Sequence, residues 1–127
     1  MSLLLDTHAF LWALRGETLP QRVKVEMRRR YPEVYVSAAS LWEIAIKASI
    51  GKLTLPKPFA QLFPSSVTKS GFQLLPIKVE HLNEVTTLPW KHRDPFDRLL
   101  ISQAISESLT IVTRDSVFLD YGVKTLR

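Results

Sequence analysis

Four acidic residues could act together: Asp6, Glu43, Asp97 and Asp115. Gathered in one place, carboxylates repel one another and raise each other's pKa. Such a cluster needs a cation or shared protons. Hard oxygen donors in a chain without cysteine suit Mg2+ or Mn2+. An ion held this way keeps positions for water and phosphate oxygens. It can polarise a phosphodiester and lower the pKa of a bound water. The chemistry implied is metal-assisted phosphodiester hydrolysis.

Each acid also has an ordinary structural explanation. Asp94 followed by Pro95 reads as a helix start, with Asp as N-cap and Pro as the first helical residue. Asp97 then falls three residues beyond the cap, the place of a capping-box acid. Asp94 is therefore a second-tier ligand. Asp115 could simply cap a short helix over Ser116–Leu119. Glu43 could be a solvent-facing glutamate, but Leu41, Trp42, Ile44, Ala45, Ile46 and Ala48 leave little polar face around it.

The elements that would position these acids alternate. Leu3–Leu5 reads as a short buried strand with Asp6 at its end, and a helix follows from Thr7 to Leu14, ended by Arg15-Gly16. Pro20 opens a second helix whose tail carries Lys24 and Arg28–Arg30, cations that suit a helix C-terminus. Val34–Val36 is a second strand, and Ser37 is a good N-cap for a helix over Ala38–Ser49. The stretch Leu53 to Pro64 is irregular, with short helices expected over Phe59–Phe63 and Ser65–Ser70. Phe72–Ile77 has strand character. Helices are expected over Val79–Thr87 and from Pro95 past Ile105. Thr110–Thr113 is a strand, and a terminal strand ends near Leu126.

This order predicts an α/β fold: a three-layer α/β/α arrangement with a central parallel sheet, one domain over residues 1–127. In such sheets ligands bind beyond the carboxyl ends of the strands. Asp6 and Asp115 both stand at strand ends, and right-handed crossovers bring such ends to one edge.

Bulk properties narrow the classes. The chain has 127 residues, enough for one buried core, and a hydrophobic fraction of 46% argues against disorder. No apolar run approaches the roughly 20 residues of a membrane span, and the N-terminus lacks the flank of a signal peptide. The lack of cysteine fits a reducing interior, so a cytoplasmic location is expected. The net charge of +5 attracts polyanions, a weak pointer to nucleic acid. The sequence carries no Gly-rich phosphate loop, dinucleotide fingerprint, H-E-x-x-H helix or nucleophile elbow.

Four stretches, in order, carry a family resemblance: Leu4-Leu5-Asp6-Thr7-His8, Ser37-Ala38-Ala39-Ser40-Leu41-Trp42-Glu43-Ile44, His92-Arg93-Asp94-Pro95-Phe96-Asp97-Arg98-Leu99-Leu100 and Thr113-Arg114-Asp115. The sequence resembles the PIN-domain ribonucleases, in particular the VapC-like toxins of type II toxin–antitoxin pairs. The resemblance implies an Mg2+- or Mn2+-dependent RNA endonuclease whose acidic site is Asp6, Glu43, Asp97 and Asp115. It also implies a homodimer and a cognate antitoxin that masks the site. Thr7 and Thr113 would orient ligands through their hydroxyls. Lys91, Arg93, Arg98 and Arg114 would contact the RNA phosphate backbone. Two alternatives remain at this stage: a non-catalytic RNA- or partner-binding module on the same fold, and an RNA-processing nuclease without an antitoxin.

Overall fold

The computed structural model describes residues 2–16, 19–30 and 33–127. In chain order its elements are β1 (Ser2–Leu5), α1 (Thr7–Arg15), α2 (Gln21–Arg30), β2 (Val34–Ser37), α3 (Ala38–Ser49), α4 (Phe59–Leu62), α5 (Ser65–Lys69), β3 (Gln73–Leu75), α6 (Val79–Thr87), α7 (Pro95–Glu107), β4 (Leu109–Val112), a 3-10 helix (Ser116–Tyr121) and β5 (Thr125–Leu126). The strands form one five-stranded sheet, all parallel, in the order β3-β2-β1-β4-β5.

Side chains alternate across a strand with period two, and the core divides accordingly. On one face Leu3, Leu5, Val34, Val36 and Val112 pack against Phe10 of α1, Val23 of α2, Ile44 of α3 and Val67 of α5. On the other, Leu4, Leu75 and Ile111 pack against Leu100, Ile101 and Ala104 of α7, with Phe118 closing the end. This is the expected three-layer α/β/α arrangement. The middle of α7 is buried without a break from Arg98 to Ala104, so α7 is the central helix of its layer.

Strand order is what places the site. The chain runs outward from β1 to β2 to β3, then returns and inserts β4 on the other side of β1. The crossover after β1 therefore leaves toward one edge, and the one after β4 toward the other. The crevice between their carboxyl ends is a topological switch point, where open parallel sheets bind ligands. Asp6 follows β1 and Asp115 lies just beyond β4.

The element ends follow local chemistry. Gly16 closes α1 in the left-handed conformation, φ 69°, which an L side chain resists. Pro76, which has no N–H to give a ladder, follows the last residue of the edge strand β3, so that strand is shorter than the expected Phe72–Ile77. Among the described residues, no helix is long and apolar enough to cross a membrane.

Candidate active site

Three of the candidate acids are helix caps. Asp6, Asp94 and Asp115 each occupy the N-cap of a helix: Asp6 Oδ1 accepts from Ala9 N at 2.8 Å, Asp94 Oδ1 from Phe96 N at 2.9 Å and Asp97 N at 3.1 Å, and Asp115 Oδ1 from Val117 N at 3.0 Å. The sequence rules for caps and the reading of these residues as ligands thus apply to the same side chains.

Asp6 is 5% exposed. Burial pushes its carboxyl above the usual range, and the charge of Asp115 pushes the same way; hydrogen bonds from Thr113 and Ala9, and the His8 charge, oppose this. Thr113 also accepts from Asp115 N through its Oγ1 at 3.0 Å, so one hydroxyl ties the ends of β1 and β4 together.

Glu43 comes from the second turn of α3 and is 4% exposed, so it is not a solvent-facing glutamate. Thr7 Oγ1 donates to its Oε1 at 2.7 Å, and Lys47 Nζ holds its Oε2 at 2.6 Å. Ser40 Oγ lies 3.0 Å from the same Thr7 hydroxyl.

Asp97 does not complete a capping box. Its carboxylate turns instead to His92, with Oδ2 and Nε2 2.9 Å apart. Burial raises its pKa to about 6; the His92 hydrogen bond lowers it, while Asp94 and Glu43 add to the rise. An edge-on contact between the rings of Trp42 and Phe96, 4.9 Å between centroids, clasps the starts of α3 and α7. Each ring neighbours one of the two acids in sequence, so the clasp sets Glu43 beside Asp97.

The structure thus gathers the acids in two electrostatically linked sets at one edge: Asp6 with Asp115, and Asp97 with Asp94 and Glu43. Thr7 joins the sets, because it follows Asp6 and holds Glu43. Among the described residues, the three ligand atoms that all lie within 4.8 Å of one another come from His92, Asp94 and Asp97, rather than from the four acids singled out in the sequence. The donor set is carboxylate oxygen with one imidazole, and two carboxyls have raised pKa values. That chemistry fits a hard divalent cation.

The basic residues fall into two kinds. Arg93 and Arg114 are exposed, and the Arg114 guanidinium sits over the Trp12 ring, 4.5 Å from its centroid. Lys91 is exposed but its Nζ donates to Asp120 O at 2.8 Å. Arg98 stands apart. It is 4% exposed, its guanidinium donates to the carbonyls of Pro89 at 2.8 Å and Leu88 at 3.3 Å and to Tyr121 Oη at 3.2 Å, and it lies over Trp90. It braces the segment that carries His92 and is not presented to a phosphate at the surface. The sequence motifs do not single out His92, Ser40 and Lys47 as site residues. Ser40 and Lys47 stand at i−3 and i+4 from Glu43, a helical spacing that exposes them to a sequence reading. His92 precedes the helix and reaches Asp97 at i+5, which no periodicity flags.

Comparison with known proteins bears on the family and the fold. The chain is 42% identical over 80 aligned residues to Ribonuclease VapC16 of Mycobacterium tuberculosis (strain ATCC 25618 / H37Rv), an alignment covering 54% of this chain and 55% of that protein. The chain thus spans about half the length of that curated relative. Its fold matches a chain of DNA-bound VapBC from Salmonella typhimurium with a TM-score of 0.74 at 15% identity, covering 99% of this chain and 97% of the other. It also matches a chain of a toxin-antitoxin complex from Klebsiella pneumoniae, TM-score 0.65 at 16% identity, covering 99% and 97%. The PIN domain family itself matches residues 3–124, a span from the first strand to the edge of the last and including every acid described above. With the sheet order, the acidic edge and that match in agreement, the chain belongs to the PIN domain family.

Proposed function

We propose that this protein is a cytoplasmic endoribonuclease that depends on Mg2+ or Mn2+ and serves as the toxin of a toxin–antitoxin pair. The observation that carries the reading is the pair of raised carboxyls, Asp6 and Asp97, facing further acids at the switch-point edge. A protein bears the cost of such a cluster where a cation is to be held.

Asp6, Glu43, Asp97 and Asp115 are the residues that would hold the ion, with Asp94 and His92 as the outer supports. Once bound, a divalent ion supplies charge stabilisation at the scissile phosphate and a water of lowered pKa. The remaining work belongs to the chain. Thr7 and Lys47 fix both oxygens of Glu43. Thr113 fixes Asp6 against Asp115. Arg93 and Arg114, with Lys91 beside them, take the RNA backbone on either side, and the N-termini of α1 and α7 add favourable dipoles for phosphate. Arg98 contributes by bracing the His92 segment.

The ribonuclease name of the 42% identical relative and the toxin–antitoxin complexes among the fold matches support the activity and a protein antitoxin as partner. A homodimer belongs to the same reading. The test is RNA cleavage by the purified chain with Mg2+ or Mn2+, with EDTA, and with Asp6→Asn in parallel. Cleavage that needs metal and disappears in the variant is the expected result. RNA binding that survives chelation, with no cleavage on any RNA offered, would favour a non-catalytic binding module.

A further inference from the structure

A cavity of about 930 Å3 opens between α2 and the β1-β4-β5 side of the sheet. Leu3 and Thr110, cross-strand neighbours in β1 and β4, line it. They sit two positions before the strand ends Leu5 and Val112, beyond which the acids lie, about 7 Å back along the sheet. Thr110 projects to the same face as Val112, into the layer of α2.

The cavity is apolar with an unmet polar demand. Leu3, Val25 and Leu126 supply apolar wall. Thr110 is 5% exposed, and its Oγ1 is buried without a hydrogen-bond partner among the described residues. Arg30 Nε is the other such atom, and Arg30 lines the same cavity. Native proteins pair nearly all their buried polar atoms, so two orphans at one cavity mark a place where a partner belongs.

Charge decides what kind of partner. Glu26 is the one carboxylate in the lining, and both its oxygens are engaged, Oε1 by Arg29 at 2.9 Å and Oε2 by Arg30 at 3.2 Å. Arg22 is tied through Nε to the backbone oxygen of Arg127. Lys124 is exposed at the rim and has no ion-pair partner among the described residues. The cavity therefore carries an excess of positive charge over an apolar wall.

We propose that this cavity binds a small organic anion. Its apolar body lies against Leu3, Val25 and Leu126. Its anionic group faces Lys124 and Arg30, and a polar atom meets Thr110. The volume lies within the ordinary range of small-molecule sites, and polar and charged side chains border the apolar wall. The inference is independent of the nuclease reading, since no residue of the acidic edge takes part.

The test uses the full chain without RNA or metal and 8-anilinonaphthalene-1-sulfonate, an aromatic sulfonate, as the probe. Fluorescence should rise to saturation at one probe per chain, and the melting temperature should rise with probe concentration. Val25→Trp, which fills the cavity, should abolish both. Lys124→Glu, at the exposed rim, should weaken binding by about tenfold, the effect of roughly 1.4 kcal/mol. Competition by phenyl phosphate and by phenylacetate then distinguishes a phosphate from a carboxylate head group. Metal-dependent RNA cleavage should be unchanged in both variants. A response that is absent, fails to saturate, or survives both substitutions overturns the proposal. If Val25→Trp loses its circular dichroism signature, Lys124→Glu decides alone.

Discussion

Thr7 Oγ1 donates to Glu43 Oε1 at 2.7 Å, which joins the first helical residue after β1 to a glutamate in the second turn of α3. The bond is buried, and it is where the helix that Asp6 caps meets the helix that follows β2. Thr7→Val keeps the shape and removes the donor. On the nuclease reading, cleavage should fall by about 10- to 100-fold, the usual cost of losing a support behind a metal ligand. Thr7→Ser should recover most of it. Single-turnover cleavage by the three proteins makes the comparison.

The raised pKa of Asp97 makes a stability prediction. Its folded value, about 6, lies above the ordinary carboxylate value of 3.8. The folded state therefore holds the proton more tightly than the unfolded one between those two values. Stability falls as pH rises from about 4 to about 6 and stays lower above that. Asp97→Asn cannot ionise, so in EDTA it should be more stable than the parent at pH 7.5 by about 1–3 kcal/mol, and no more stable at pH 4. Urea unfolding at the two pH values reads the difference directly.

Divalent metal should act in the opposite sense. Cation binding stabilises the folded state and requires ionised carboxylates. Mn2+ should raise the melting temperature more at pH 7.5 than at pH 5.5, and EDTA should reverse the effect. Asp6→Asn should lose most of it. Equal shifts at both pH values, or in the variant, would place the bound ion elsewhere.

The two kinds of arginine should separate cleanly. Arg98→Lys cannot reach the carbonyls of Leu88 and Pro89 and Tyr121 Oη together, so it should cost about 2 kcal/mol of stability. It should leave the salt dependence of RNA binding unchanged. Arg93→Ala should do the reverse. Stability should hold, and the slope of log affinity against log salt should fall by about 0.7, one phosphate contact on a single strand.

The sequence shows much of this fold because the strands are short aliphatic runs and the helices carry their own caps. Leu3–Leu5 and Val34–Val36 can only be buried strands beside such caps, and Asp94-Pro95 announces α7. The acids at strand ends were legible for the same reason. What the residues do not encode locally is who lies beside whom. That β4 inserts next to β1 depends on pairing across almost the whole chain. The family resemblance casts Arg98 as a phosphate contact alongside Lys91, Arg93 and Arg114. Its burial is set by backbone carbonyls of Leu88 and Pro89, and a carbonyl leaves no mark on a side-chain pattern. His92 was hidden for a related reason: the loop before α7, rather than any repeat, folds it onto Asp97.

The insertion of β4 beside β1 divides ownership of the acidic edge along the chain. Residues up to Ser49 bring Asp6 and Glu43, and the second half brings Asp97 and Asp115. A chain cut in the connecting segment 51–58 would give two pieces, one with Asp6 and Glu43, the other with Asp94, Asp97 and Asp115, and neither with a switch-point crevice. On the nuclease reading, the halves expressed apart should be inert. Brought together, they rebuild the crevice only by forming the β1–β4 pair, so on the nuclease reading recovered cleavage should report reassembly.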